Sequence, residues 1–453
     1  MDYFYAVLTK ETIMNNKRIF IIAGESSGDA LGAGLMNALR DENIEWCGVG
    51  GGKMQQAGLE SLFSIADIAL MGFAEIVPHS WRLLRRLQQT CEAIAQFRPD
   101  IIITIDSPGF NLRVMKWVRE HYQTSIYAGK SSGDALKCVH YVAPTVWAYK
   151  PRRAAKFAQL FDHLMVILPF EPPYFTAHGL PTTFVGHMVA DEATAVEDNA
   201  NSNQSQQEMQ DSSWSASPAW NISSAWNISS AWIESEELRL LLLPGSRAGE
   251  VQQMLPIFLQ ATKMMQQYFA KISVKLVVNE LSQLHAEKLL QSFALHEGET
   301  VNISMVQNND INKDVNHIFK GAHIAITKTG TVTLELAKAG VPMVACYRVS
   351  GITAFMVRKM LNIPFVNLLN IINRQMVIPE LLQQNCEAHN ICEITTKLVK
   401  NANMSARQVE LNLSALQKLK ACKLKDYKGL SDGGETSSQS SSQNAANVIK
   451  QYF

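Results

Sequence analysis

The chain carries no surplus of charge, no long apolar run and no ordered spacing of cysteines, and each absence removes a class of function. Its 453 residues include 41 basic and 41 acidic side chains. A protein that holds nucleic acid mainly by neutralising phosphates shows a basic excess, so no nucleic-acid partner is expected. No stretch reaches the roughly 18 to 20 consecutive apolar residues of a membrane-spanning helix, and the opening MDYFYAVLTKETIMNNK lacks the pattern of a secretory signal. The expectation is a cytoplasmic protein whose contact with lipid, if any, is made at its surface. The seven cysteines, Cys47, Cys91, Cys138, Cys346, Cys386, Cys392 and Cys422, are odd in number and form no Cys-x-x-Cys pair or zinc spacing. They read as reduced thiols. No cluster of metal ligands is visible, so neither a metal nor a cofactor is expected.

What is present is ample core material, 47% hydrophobic residues, in a chain long enough for two or three domains of roughly 150 residues. From Lys17, short apolar runs alternate with amphipathic segments: RIFIIAG, a helical stretch, EWCGVGG, then RPDIIITIDSPGF, a helix from about Leu112, KCVHYVAPTVWA and HLMVILPF. Near-continuous apolar runs such as IIITI are the mark of parallel strands buried on both faces. A second series starts at LRLLLLPGSR and runs through SVKLVVN, VNISMV, HIAITKTG and VPMVACY. The expected architecture is α/β, two doubly wound Rossmann-like domains facing across a cleft. Residues 1–16 form an N-terminal extension, 17–191 an acceptor-side domain with an insertion near 127–137, and 236–400 a donor-binding domain. Residues 401–453 read as helices returning to the first domain or to the partner subunit of a homodimer.

Two segments stand apart. Residues 192–235 are rich in Asn, Ser, Gln and Ala, with a six-residue repeat around Trp220, Trp226 and Trp232; this reads as a low-complexity linker insertion. The loop AGESSGDAL at Ala23–Leu31 recurs as AGKSSGDAL at Ala128–Leu136, eight of nine residues matching. The second copy runs straight into an apolar strand with no helix after it, so it reads as a copied surface insertion.

Four motifs carry chemistry. Gly24-Glu25-Ser26-Ser27-Gly28-Asp29 joins a strand to a helix, where backbone amides attract anions; it is neither the dinucleotide fingerprint nor a P-loop, and it reads equally as a plain Gly-rich helix start. Asp106 follows IIITI at the strand end that faces a ligand crevice, either as a general base or as a cap for the next helix. Ser246 and Arg247, in Pro-Gly-Ser-Arg, offer a guanidinium beside helix-start amides, a diphosphate clamp. Thr329, Gly330 and Thr331 offer hydroxyls and amides to phosphates, and Glu335, one turn on, suits a ribose diol or simply the helix dipole. Together they suggest a nucleotide-activated donor facing an acceptor.

These residues resemble the lipid-A-disaccharide synthase family, inverting glycosyltransferases of GT-B architecture. The resemblance rests on AGESSGDALGAGL, GVGGGKMQQAG, ALMGFAEIVPH, PDIIITIDSPGFN, HYVAPTVWAYK, LPFEPPYF, FVGHMVAD, LLPGSRAGEV and TKTGTVTLELAKAGVPMV. It implies condensation of UDP-2,3-diacylglucosamine with 2,3-diacylglucosamine 1-phosphate, at the cytoplasmic face of the inner membrane. It implies Asp106 as the essential aspartate, Glu25 and Asp29 as acidic members of the first loop, and Arg247, Glu335 and Asn370 as residues near the nucleotide. The chain departs from the family at Gly109, where many members carry Asp, and at Ile372-Asn373-Arg374, where Ala-Gly-Arg is common. Leu70, Met71, Phe73, Val77 and Trp81, beside Arg82, Arg85 and Arg86, suit either an anionic lipid surface or an ordinary amphipathic core helix. Rival readings are another GT-B transferase, a UDP-sugar epimerase, or a decayed nucleotide-binding protein.

Overall fold

The structure is a computed structural model that describes residues 16–68, 73–121, 135–191, 237–297, 302–307, 318–348, 364–420 and 439–453, with the backbone alone for 73–80, 280–281, 295–297 and 307. The linker insertion, most of the second AGKSSGDAL copy, Leu70 and Met71 lie outside the described residues. The chain divides into two units: one runs to Asp191 and resumes at Leu419, and the other ends at Lys418.

The first unit contains β1 (Lys17–Ala23), α1 (Ser26–Ala38), β2 (Ile44–Val49), α2 (Gly52–Gln56), α3 (Phe73–Phe97), β3 (Ile101–Ile105), α4 (Pro108–His121), β4 (Lys137–Tyr141), α5 (Arg153–Leu160), β5 (His163–Val166), α6 (Pro172–Thr176), β6 (Thr182–Phe184) and α7 (Met188–Asp191). Its strands form one parallel sheet in the order β2-β1-β3-β4-β5-β6. Alternation along each strand sorts the core into two layers. Ile19, Ile21, Ile101, Ile103 and Ile105 pack with Leu31, Leu35 and Met36 of α1, while Phe20, Ile22 and Ile102 pack with Ile94 of α3 and Val114 and Val118 of α4. Each such fully buried aliphatic side chain contributes about 1.5–3 kcal/mol of transfer free energy. Helix α4 begins at Pro108, four residues before the expected Leu112, because proline's fixed φ and missing amide suit the first helical position.

The second unit contains β7 (Glu237–Leu243), α8 (Ala248–Met265), β8 (Lys271–Val278), α9 (Glu280–Glu297), β9 (Asn302–Gln307), β10 (Ile324–Lys328), α10 (Val332–Lys338), β11 (Met343–Tyr347), α11 (Leu368–Asn373), β12 (Glu380–Leu382), α12 (Ala388–Lys400) and α13 (Ala402–Gln417). The sheet order, β12-β11-β10-β7-β8-β9, is again all parallel. Both sheets are doubly wound, as expected of a GT-B chain. The expected break at residue 400 is displaced: α13 stays with the second unit, where Gln408 accepts from the Met343 amide at 2.6 Å and donates to its carbonyl at 3.2 Å. A buried amide side chain that completes the edge of a ladder cannot leave without stranding those groups. Among the described residues, the helix that returns to the first unit is α14 (Ser441–Lys450). There Ala445, Val448 and Ile449 cover the α1 side of the sheet, and Asp191 accepts from the Ser441 amide at 2.7 Å.

Candidate active site

In both sheets the candidate loops leave the carboxyl ends of the two adjacent strands at which the connections reverse direction. Ala23 of β1 lies opposite Ile105 of β3, and Leu243 of β7 lies opposite Thr327 of β10. The helices that follow such a pair go to opposite faces and leave a crevice between them, which is where open α/β sheets bind ligands.

Asp106 is the first residue past β3. It and Ser107 both adopt left-handed backbone, φ 49° and 42°. Non-glycine residues held there cost about 1–3 kcal/mol each and persist only where the surroundings fix them. The Asp106 amide donates to the Tyr141 carbonyl at 2.9 Å, and buried Asn111 reaches back with Nδ2 to the carbonyls of Ile105 at 3.3 Å and Asp106 at 2.7 Å. Burial pushes the Asp106 carboxyl above the usual carboxylate range, against a smaller lowering by the Ser107 amide. A carboxylate raised in this way is better matched to receive a proton from a hydroxyl near neutral pH.

The Gly24 loop touches this turn. A Cβ on Gly24 would stand 2.1 Å from the Ser107 hydroxyl oxygen, so glycine is what lets the two loops close on each other. Glu25 occupies the N-cap of α1 with extended backbone, half-buried, its side chain making no cap. Asp29, by contrast, faces the neighbouring loop. Its carboxylate accepts from the amides of Gly51 at 2.8 Å, Lys53 at 3.0 Å and Met54 at 3.0 Å. With three of its acceptor positions taken by amides, Asp29 anchors the start of α2.

In the second unit Arg247 caps α8 and is exposed, as is Ser246. Glu250, one turn into α8, accepts from the amides of Ser246 at 3.1 Å and Arg247 at 3.4 Å. Gly245 has φ +126°, which brings the chain so close that a Cβ would lie 2.5 Å from Glu250 Oε2. The other carboxylate oxygen of Glu250 takes Lys328 Nζ at 2.8 Å and lies 3.7 Å from the Arg247 guanidinium. The Pro-Gly-Ser-Arg and Thr-Lys-Thr-Gly loops are thereby joined through one carboxylate. The sequence placed Glu250 in no role, although a glutamate three residues after a helix cap is a recognisable pattern.

The Thr329 amide donates to the Cys346 carbonyl at 3.0 Å and Thr329 is buried, whereas Gly330 and Thr331 are exposed and a Cβ at Gly330 would meet open space. Glu335 sits half-buried in the first turn of α10. The Asn370 side chain is fully committed. Its Nδ2 donates to Ile378 O and Glu380 Oε1, both at 2.8 Å, and its Oδ1 accepts the amides of Val377 and Ile378, both at 2.8 Å. With every donor and acceptor used and no exposed surface, Asn370 staples α11 to the segment before β12.

Phe73 and Val77 lie on the first turns of α3. Further along, Trp81 and Leu84 are 73% and 61% exposed, and with Arg85 and Gln88 they follow helical spacing along one exposed face. The Arg85 guanidinium lies 6.0 Å from the Trp81 ring centre. Arg86 does not belong to this surface: half-buried, it pairs with Asp67 at 2.6 Å and lies 4.7 Å from the centre of the Phe63 ring. Among the described residues no helix is long and apolar enough to cross a membrane.

Comparison with known proteins places these geometries in a family. The model of the lipid-A-disaccharide synthetase family matches residues 19–213 and 224–429. The lipid-A-disaccharide synthase of Granulibacter bethesdensis is 34% identical over 386 residues, 85% of this chain and 86% of its own length. That of Rickettsia felis is 35% identical over 438 residues, 96% of each chain. Among solved structures, the glycosyltransferase of kitacinnamycin superposes with a TM-score of 0.51 at 13% identity, covering 96% of this chain and 99% of its own. The UDP-GlcNAc 2-epimerase of Methanocaldococcus jannaschii, in complex with UDP-GlcNAc and UDP, gives 0.50 at 11% identity, covering 96% and 99%. These distant structures share the two-domain GT-B fold, while the close relatives carry the assignment: the chain belongs to the lipid-A-disaccharide synthase family, enzymes that transfer a glycosyl group.

Proposed function

We propose that this chain transfers 2,3-diacylglucosamine from UDP-2,3-diacylglucosamine to the 6-hydroxyl of 2,3-diacylglucosamine 1-phosphate with inversion, giving the β(1→6)-linked tetraacyl disaccharide 1-phosphate and UDP. Family membership supports the reaction class, and the observation that carries the chemistry is Asp106, held in a strained turn at the β1/β3 switch point with a raised pKa. Asp106 takes the hydroxyl proton as the oxygen attacks the anomeric carbon. Arg247, at the β7/β10 switch point, receives the charge that builds on the departing diphosphate. Glu25, on the loop that closes against Ser107, contributes to the acceptor side, and Glu335 to the nucleotide side.

The acylated substrates reside in a bilayer, and the exposed Trp81, Leu84 and Arg85 on α3 support peripheral attachment to an anionic leaflet, the cytoplasmic face of the inner membrane. The test is a product assay by mass spectrometry with both acylated substrates, run beside non-acylated UDP-glucosamine. A tetraacyl disaccharide 1-phosphate with stoichiometric UDP is the expected result. Release of UDP only from the non-acylated donor, or epimerised donor with no disaccharide, overturns the reading.

A further inference from the structure

Lys328 sits at the very end of β10, in the crevice where β7 and β10 part. Its ammonium donates to Glu250 Oε1 at 2.8 Å, and both side chains are 20% exposed. It also lies 5.4 Å from the centre of the Tyr347 ring, at the end of β11. Burial, followed by the nearby Glu250 charge, pushes the Tyr347 phenol up, so this ring brings no charge of its own. On its other side Glu250 holds the amides of Ser246 and Arg247, with the Arg247 guanidinium at 3.7 Å. One carboxylate therefore gathers two cations from two loops, and the group keeps a surplus of one positive charge.

We infer that Lys328 is the second cation of the diphosphate site, donating to a phosphate oxygen of the leaving nucleotide, and that Glu250 is the positioning residue that fixes it beside Arg247. This rests on the UDP-sugar reading given above. An ammonium has three protons to donate and Glu250 takes one. A lysine offers a compact point charge where arginine offers a planar fork, so the pair can serve the two phosphates differently. Charge grows on the diphosphate as the anomeric bond breaks, and a cation already oriented by a carboxylate stabilises it without reorganisation.

The test compares UDP and uridine in calorimetric titrations of the full chain, using wild type, Lys328→Met and Lys328→Arg. Loss of one charge-assisted hydrogen bond lowers UDP affinity about ten- to a hundredfold, while uridine, which lacks the phosphates, binds unchanged. Lys328→Arg keeps the charge and recovers most of the loss, which also serves should the Met variant fold poorly. A lysine that merely ties Glu250 in place predicts equal losses for UDP and uridine, or none; either outcome overturns the inference. A wild-type chain that binds no UDP at all removes the donor-site reading itself, and this inference with it.

Discussion

The hydroxyl of Ser107 fills the space of the side chain that Gly24 lacks, 2.1 Å from where its Cβ would stand. Two loops that follow adjacent strands are thereby locked at their tips, and one of them carries Asp106. A Gly24→Ala substitution drives the new methyl into Ser107, whose left-handed backbone leaves it little room to yield. Overpacking of this kind costs about 1–3 kcal/mol, so the melting temperature falls modestly. Turnover falls by about a hundredfold as the carboxylate is displaced, while UDP affinity, which the proposal assigns to the second unit, holds. Adding Ser107→Gly to that variant vacates the contact and restores most of the rate. A double variant as slow as the single one would mean that the two tips do not act through each other.

Asp106→Asn preserves shape and removes basicity. A general base contributes about 10² to 10⁴ in rate, so turnover drops by that factor with UDP binding unaltered. The wild-type profile of kcat/KM against pH rises through an acid limb set by Asp106, which must be ionised to act. Because burial raises its pKa, that limb lies above the roughly 3.9 of an ordinary aspartate. The same shift bears on folding with the opposite sense. A carboxyl whose folded pKa is raised favours the folded state most fully below the unfolded pKa, and that contribution is lost as pH rises through the folded value. An acid limb unmoved by Asp106→Asn, or more than a tenth of the rate retained, would pass the role of base to Glu25.

Much of this was legible in the chain because strand ends announce themselves. Runs such as IIITI and LLLL are apolar on both faces, and the polar loop that breaks each run marks the carboxyl edge where ligands bind. The pairing of Glu250 with Lys328 was not legible, since it depends on β10 lying beside β7, and sheet order is set by the packing of helices on both faces. The holding role of Asp29 was hidden for the same reason: its three amide partners are 22 to 25 residues away. The staple made by Asn370 was not legible either, because a buried staple and a ligand contact use the same amide chemistry. Arg82 and Arg86 both reach Asp67, but Arg86 does so at 2.6 Å and half-buried while Arg82 stays exposed at 3.9 Å, a difference the run of arginines does not show.

The holding contacts of Asp29 and Asn370 allow stability to be separated from chemistry. Asp29→Ala strands the amides of Gly51, Lys53 and Met54, and Asn370→Ala strands those of Val377 and Ile378. Each unsatisfied buried group costs about 1–3 kcal/mol, so both variants show clear losses in denaturant midpoint. Scaled to the folded fraction, Asn370→Ala keeps UDP affinity within about threefold, less than the roughly tenfold that a lost contact of about 1.4 kcal/mol would give. A specific loss of UDP binding without loss of stability would return Asn370 to the nucleotide site.

The final prediction concerns the exposed face of α3. Trp81 and Leu84 are mostly in solvent, so replacing both with Glu removes apolar contact without opening a cavity, and the unfolding free energy stays within about 0.5 kcal/mol of wild type. If this face rests on lipid, the double variant loses most of its sedimentation with anionic vesicles, since apolar burial and attraction of Arg82 and Arg85 act together there. Raising salt weakens wild-type binding only in part, because the apolar share is not screened. Arg86→Gln is the control. Its charge is engaged by Asp67 at 2.6 Å, so it alters stability rather than vesicle binding. Unchanged sedimentation of the Trp81 and Leu84 double variant would show that this face is an ordinary solvated surface and that lipid contact is made elsewhere.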